Sequence, residues 1–246
     1  MAARREVPYH PGVIPLWTDL AHLGGRQLSP DQLGLLDRYL SLLLHANERL
    51  NLTRITDLGS AEVQHVGDAL TLLPFLPPGP LTIADIGSGG GVPGIPLAIV
   101  LPEARLLLVE STKKKASFLR ETIRQLGLAN AEVTDDRAET VARTSRRESF
   151  DVATARAVGA LNWLAEWCLP LVKKGGKMLA MKGERIKDEL PGALSPLKKL
   201  GGGEPVVHPV DLPGASHHVV VEVPKLGRTD PKYPRDPTTT RGKPLT

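Results

Sequence analysis

The ten residues Asp85-Ile86-Gly87-Ser88-Gly89-Gly90-Gly91-Val92-Pro93-Gly94 carry the densest chemical signal in the chain. Glycines allow a backbone to approach a ligand closely, and a helix starting there presents unpaired N–H groups. Placed directly after an apolar strand, they point to a nucleotide-like ligand outside the carboxyl ends of a parallel sheet. Two ligands compete for this loop. Gly89-x-Gly91-x-x-Gly94 matches the dinucleotide fingerprint, and Glu110 lies about 20 residues on, where a ribose-binding acid belongs. S-adenosylmethionine shares that acid and adds a use for Asp85, beside its amine and sulfonium. A pyrophosphate would be repelled by the same carboxylate. The methyl donor is therefore the favoured reading, with a nicotinamide cofactor as the alternative.

Other reactive residue types narrow the chemistry. The single cysteine, Cys168, sits in Trp167-Cys168-Leu169-Pro170 on an apolar helix with no neighbouring base. It reads as a buried, inert thiol, which argues against carbon-5 methylation of pyrimidines through a cysteine nucleophile. Ala155-Arg156-Ala157-Val158 occupies the place where enzymes that methylate exocyclic amines commonly carry an Asn/Asp-Pro-Pro-aromatic loop. His217 and His218 are adjacent on a strand and point to opposite faces, so they do not chelate one metal together. No metal site is expected.

The elements that must position these residues follow from apolar periodicity. Short apolar runs at 81–86, 104–109, 131–135, 150–154 and 177–181 read as strands, with helical segments between them. Such alternation implies βαβ units. The runs 205–210 and 217–223 are joined too closely for a parallel crossover and should pair antiparallel. The expected fold is α/β: a doubly wound, mostly parallel, seven-stranded sheet, Rossmann-like, of the S-adenosylmethionine-dependent methyltransferase type. Residues 1–80 read as an N-terminal helical extension. Ser29-Pro30-Asp31-Gln32 starts one helix with a capping box and a proline at its first position. A second helix is expected over 60–73, stopped by Pro77-Pro78-Gly79-Pro80. Residues 81–224 form the methyltransferase domain and 225–246 a tail.

Composition bounds the function classes. Of 246 residues, 41% are hydrophobic and 24% charged, ordinary values for a globular chain. Three Phe, three Trp and three Tyr are too few for a base-stacking platform as the main device. One cysteine excludes an intrachain disulfide and suits a reducing, cytoplasmic setting. No apolar run reaches the ~18 residues of a membrane span. In the last 22 residues six cations (Lys225, Arg228, Lys232, Arg235, Arg241, Lys243) face Asp230 and Asp236, so the whole +4 excess of the chain sits there. A localised basic tail suits a phosphate backbone.

Several separate motifs converge from Asn51 to the C-terminus. They are Asn51-Leu52-Thr53, His65-x-x-Asp68, the glycine loop, Glu110 followed by Lys113-Lys114, Arg137-Ala138-Glu139, Ala155-Arg156-Ala157-Val158, Met181-Lys182-Gly183 and Lys232-Tyr233-Pro234-Arg235. In this order they resemble the bacterial 16S ribosomal RNA guanine-N7 methyltransferases, the glucose-inhibited division protein B family. The resemblance implies that Gly87 and Val92, with Gly89 and Gly91 of the same loop, contact the methyl donor. It places Glu110 on the ribose, Ala138 and Glu139 beside the adenine, and Arg156 near the transferred methyl as the catalytic candidate. Asn51, Lys182, Lys232 and Arg235 would face RNA, presented as 16S ribosomal RNA or a small-subunit particle. A monomer is expected. The chain departs from the family in having Ala69 after Asp68, where Ser is usual. It also has Asp236-Pro237-Thr238-Thr239-Thr240 in the tail instead of basic and glycine positions.

Overall fold

The computed structural model describes residues 13–214, 217–236, 238 and 243–246. Arg4, Arg5, Pro237, Thr239, Thr240 and Arg241 lie outside them. Among the described residues, seven strands form one sheet: β1 (Thr82–Ile86), β2 (Arg105–Val109), β3 (Ala131–Thr134), β4 (Phe150–Arg156), β5 (Val172–Lys182), β6 (Val206–Pro209) and β7 (Val219–Pro224). Their order is β3-β2-β1-β4-β5-β7-β6. The first five run parallel, and β7 is antiparallel to both β5 and β6. The helices α5 (Gly94–Val100), α6 (Lys113–Leu126), α7 (Ala138–Val141), α8 (Leu161–Cys168) and α9 (Ile186–Lys199) follow β1 to β5 in turn, as numbered after the N-terminal helices below. This is the doubly wound, mostly parallel sheet expected from the alternation of apolar runs. No helix among the described residues is long and apolar enough to cross a membrane.

Both faces of the sheet are covered, which is why the central strands read as unbroken apolar runs instead of alternating ones. Ile83, Leu106, Leu108, Val152 and Leu179 pack on one face, Ala84, Leu107, Val109, Ala153 and Met178 on the other. The first face is shared with the N-terminal helices α1 (Val13–Leu23) and α2 (Pro30–Leu50), whose Trp17, Leu36, Leu40 and Leu43 join the same core. Ser29 caps α2 as its sequence implies: the Gln32 N–H donates to Ser29 Oγ at 3.2 Å and the Ser29 N–H to Gln32 Oε1 at 2.9 Å. Beyond the cap, Gln32 Nε2 donates to the Ile99 carbonyl at 3.0 Å and ties α2 to α5.

Two helices differ from expectation. The helix expected over 60–73 is divided into α3 (Leu58–Ala61), a π-helical turn at Glu62–Gly67 and α4 (Asp68–Leu70). A π turn widens the helix by one residue, and such turns frequently occur at functional sites. The stretch 138–146 between the third and fourth apolar runs also reads as one helix; α7 stops at Val141, and beyond it Arg147 turns inward and donates to the carbonyls of Ala142, Thr229 and Tyr233. Helix α1 falls in the extension read as helical, where the sequence set no bounds for it, and Trp17 ties it down by donating from Nε1 to the Glu62 carbonyl at 3.0 Å.

Candidate active site

A cleft of about 1340 Å³ runs over the carboxyl ends of the strands. It is large enough for a nucleoside-type ligand together with part of a second molecule. Crossing the sheet in strand order, its wall carries Glu139 after β3, Glu110 after β2, Gly87 to Gly90 after β1, Arg156 at the end of β4 and His218 before β7. Leu43 of α2, the segment Leu52–Ile55, His65 of the π turn and Asp68 at the start of α4 close the opposite side.

Glu110 is 7% exposed, with Oε2 accepting from the Gly89 N–H at 2.9 Å and Oε1 from the Thr112 N–H at 2.8 Å. Each oxygen keeps a lone pair that a ribose hydroxyl can address. Gly89 has φ 56°, and the nearest atom to a Cβ built there is the Gly87 carbonyl oxygen at 3.8 Å. That stretch of backbone is therefore open to a ligand. A Cβ on Gly87 would instead stand 2.7 Å from Val158, so glycine there lets the β1 and β4 loops meet. On the β3 side Glu139 Oε1 accepts from Trp167 Nε1 at 3.0 Å, and Trp163 stacks behind Trp167 with ring centroids 5.4 Å apart. Carboxylates at the ends of two adjacent strands suit hydroxyl groups and an amine. The residues fit S-adenosylmethionine and oppose a pyrophosphate.

Gly87, Gly89, Val92, Glu110, Ala138, Glu139 and Arg156 all line the cleft. Asp85 and Gly91 do not. Asp85 lies under the loop, 1% exposed, where Oδ2 accepts from the Gly94 N–H at 3.1 Å and Oδ1 from Thr154 Oγ1 at 3.3 Å. Its job is to shape the loop, and it satisfies the first N–H of α5, which the sequence reading had assigned to ligand. Burial pushes its carboxyl up to about 6, against the pull of the Ser88, Gly94 and Thr154 hydrogen bonds. Gly91 has φ 96°, and a Cβ there would fall 2.6 Å from Ile95. It makes the turn and faces the core.

The residues expected to face RNA separate in the same way. Asn51 is the left-handed C-cap of α2, φ 51°, and its N–H closes the helix on the Asn47 carbonyl. Lys182 is committed to Glu189 Oε2 at 2.6 Å and the Gly159 carbonyl at 2.8 Å. Arg235 forms a forked pair with buried Glu166, Nη2 to Oε2 at 2.6 Å and Nε to Oε1 at 2.8 Å. The Lys182 and Arg235 side chains therefore have partners within the fold, while Asn51 is exposed. Lys232 stays exposed beside Asp230 and 5.3 Å from the Tyr233 ring centroid, outside the cleft wall. Of the four, Lys182 lines the cleft, whose wall also bears Arg54, Lys115, Arg137 and Arg185, cations whose side chains have no ion pair or hydrogen bond among the described residues. Nothing in their local sequence set them apart from other surface cations; only the folding of four separate segments around one cleft does.

Arg156 is held from both sides. Nη1 donates to the Gln64 carbonyl at 2.6 Å and to Asp68 Oδ2 at 3.0 Å, and Nη2 donates to His65 Nδ1 at 3.1 Å. A guanidinium only donates, so His65 accepts at Nδ1 and carries its proton on Nε2. Burial and then the Arg156 charge lower the His65 pKa to about 4, so this ring is neutral at ordinary pH. The second Asp68 oxygen, Oδ1, accepts from His218 Nδ1 at 3.2 Å. The motif His65-x-x-Asp68 was visible in the sequence. Its pairing with Arg156 and His218, 88 and 150 residues away, was not.

A family model described as rRNA small subunit methyltransferase G matches residues 32–206. A ribosomal RNA small subunit methyltransferase G from Roseiflexus sp. (strain RS-1) is 43% identical over 216 residues, covering 87% of this chain and 92% of that protein. One of the same name from Staphylococcus haemolyticus is 40% identical over 223 residues, with 90% and 93% covered. A precorrin-6y C5,15-methyltransferase structure from Geobacter metallireducens matches with a TM-score of 0.48 at 15% identity, over 65% of this chain and 88% of that one. With matches of this identity along nearly its whole length, the chain belongs to the rRNA small subunit methyltransferase G family.

Proposed function

We propose that the protein methylates N7 of a guanine in 16S ribosomal RNA with S-adenosylmethionine as donor. The observation that carries the reading is the carboxylate-capped, ligand-open glycine loop in a chain of this family. S-adenosylmethionine supplies an electrophilic methyl group on a sulfonium. Guanine N7 brings its own in-plane lone pair and has no proton to lose. The N–C bond forms as the S–C bond breaks, and the positive charge passes from sulfur to the purine. The protein's task is then to place N7 in line with the methyl and to shield the site. Neither a metal nor a general base is needed.

Residue roles follow strand order. Glu110 takes the ribose, Ala138 and Glu139 the adenine, and Gly87, Gly89 and Val92 the donor's remaining length. Arg156 fixes the wall on the acceptor side, as a positioning residue whose hydrogen bonds are used within the protein. Arg54, Lys115, Arg137 and Arg185 line the approach and suit RNA phosphates. We place the enzyme in the cytoplasm, acting as a monomer, where ribosomal RNA is met. Two measurements test the whole. Calorimetric titration should show saturable binding of S-adenosylmethionine and none of NADH; the reverse result restores the nicotinamide reading. Small subunits from cells lacking the enzyme should then acquire one 7-methylguanine, detected by strand scission at the modified base. Label appearing at another atom or in small metabolites only would refute the assignment.

A further inference from the structure

The reaction proposed above removes no proton, yet an Asp–His pair stands in the wall of the cleft. Asp68 accepts from His218 Nδ1 at 3.2 Å, and that contact leaves His218 Nε2 with no partner among the described residues. Strand order says which end of the cleft this is. The ribose and adenine groups lie over β2 and β3, and the loops of β1 and β4 meet through Gly87 and Val158. His218 precedes β7, two strands beyond β4 on the side away from β3. It therefore stands where the acceptor base must enter, beyond the methyl group.

Guanine presents two acceptors on its major-groove edge, N7 and O6, whereas adenine presents N7 and an amino donor. A donor aimed at O6 would both hold N7 in register and reject adenine. We infer that His218, oriented by Asp68, donates from Nε2 to O6 of the target guanine and so selects and aligns the base. The inference rests on the guanine-N7 reading above and adds the residue that recognises the base. Asp68 fixes which nitrogen is free: a carboxylate only accepts, so the proton on Nδ1 points at Asp68 and Nε2 is left to the cleft. Donation from Nε2 requires the imidazolium. The Asp68 hydrogen bond raises the His218 pKa and outweighs partial burial and the Arg156 charge. The other ionisable groups around it are His65, which is neutral, Lys182 opposite Val219 on β5, which is held by Glu189, and exposed Asp211 beyond Val210.

The test uses the full chain and unmethylated small ribosomal subunits. His218→Ala should lower kcat/KM by about 10- to 100-fold, the scale of a lost base-edge contact. Calorimetric affinity for S-adenosylmethionine should stay within about twofold of wild type, a readout a folding defect would move. His218→Gln keeps an amide donor near the Nε2 position and should recover a large part of the loss. Between pH 6 and 8.5 the wild-type kcat/KM should decline as the imidazolium deprotonates, and His218→Gln should remove that decline. Wild-type rates that rise with pH would make the pair a general base and overturn the inference. So would a His218→Ala enzyme as fast as wild type, while leaving the methyltransferase reading intact. Absence of any methyl transfer by the wild type would instead defeat the parent reading and this one with it.

Discussion

Asp85 shows how far a residue's type can be read and where its environment takes over. Its carboxylate looked like a ligand group because of its spacing from the glycines, but spacing along a strand does not say on which side of a loop a side chain lies. It points with Ile83 into the face covered by α5, and Gly94 is glycine because a Cβ there would stand 2.7 Å from Asp85 Oδ2. The consequence is thermodynamic. The folded carboxyl titrates at about 6, above the unfolded value near 3.9, so between these values the folded state holds more protons than the unfolded one. Its contribution to stability is therefore present at low pH and lost as the pH rises through 6. Denaturant titrations of wild type and Asp85→Asn at pH 4.5 and pH 7 isolate the effect: the variant should gain about 2 kcal/mol relative to wild type on going to pH 7. A difference that does not change with pH would show that this carboxylate carries no charge-burial cost.

At the scale of elements, the strands and their mostly parallel, doubly wound arrangement were legible because burial on both faces leaves continuous apolar runs, and the capping box of α2 because it is a local contact three residues long. The π turn was not legible. Its register depends on Arg156 reaching across from β4 to Gln64, His65 and Asp68, a contact that no local pattern encodes. The same limit explains the site. Glycines and Glu110 advertise themselves on one βαβ unit, whereas Trp167, His218 and the four rim cations come from distant segments. Helix α2 is the element that links both classes, since Tyr39 Oη donates to the Gly90 carbonyl at 2.9 Å and Leu43 fills the space a Gly90 Cβ would take. Tyr39→Phe should cost about 1 kcal/mol in stability and loosen the loop. Calorimetry should then show weaker S-adenosylmethionine binding by several-fold, with unchanged affinity meaning that the loop holds its shape without α2.

Over the whole molecule, the distribution of charge in the sequence misleads until the folded chain shows which charges are already used. The +4 excess lies entirely in the tail, yet Lys225 is buried beneath it, donating to the Leu169 and Leu200 carbonyls and to Thr229. Burial lowers its pKa to about 8 despite nearby Glu148. Arg147 binds the tail's carbonyls, Arg235 closes on Glu166, and Leu245 is buried against the second core. The described residues of the tail thus form a strap across the α7–α8 side, leaving Arg228, Lys232 and Lys243 exposed, while Arg54, Lys115, Arg137 and Arg185 line the cleft. These two employments separate experimentally. Arg235→Gln strands a carboxylate that is 2% exposed and should cost about 3 kcal/mol in unfolding free energy, while leaving the salt dependence of RNA binding as it was. Arg137→Ala with Arg185→Ala should leave stability within about 0.5 kcal/mol and flatten the slope of log K against log salt by about 1.4 to 1.8, since each phosphate contact contributes about 0.7 to 0.9. If the tail variant alone flattened that slope, the strap would be the RNA contact and the rim a solvated edge.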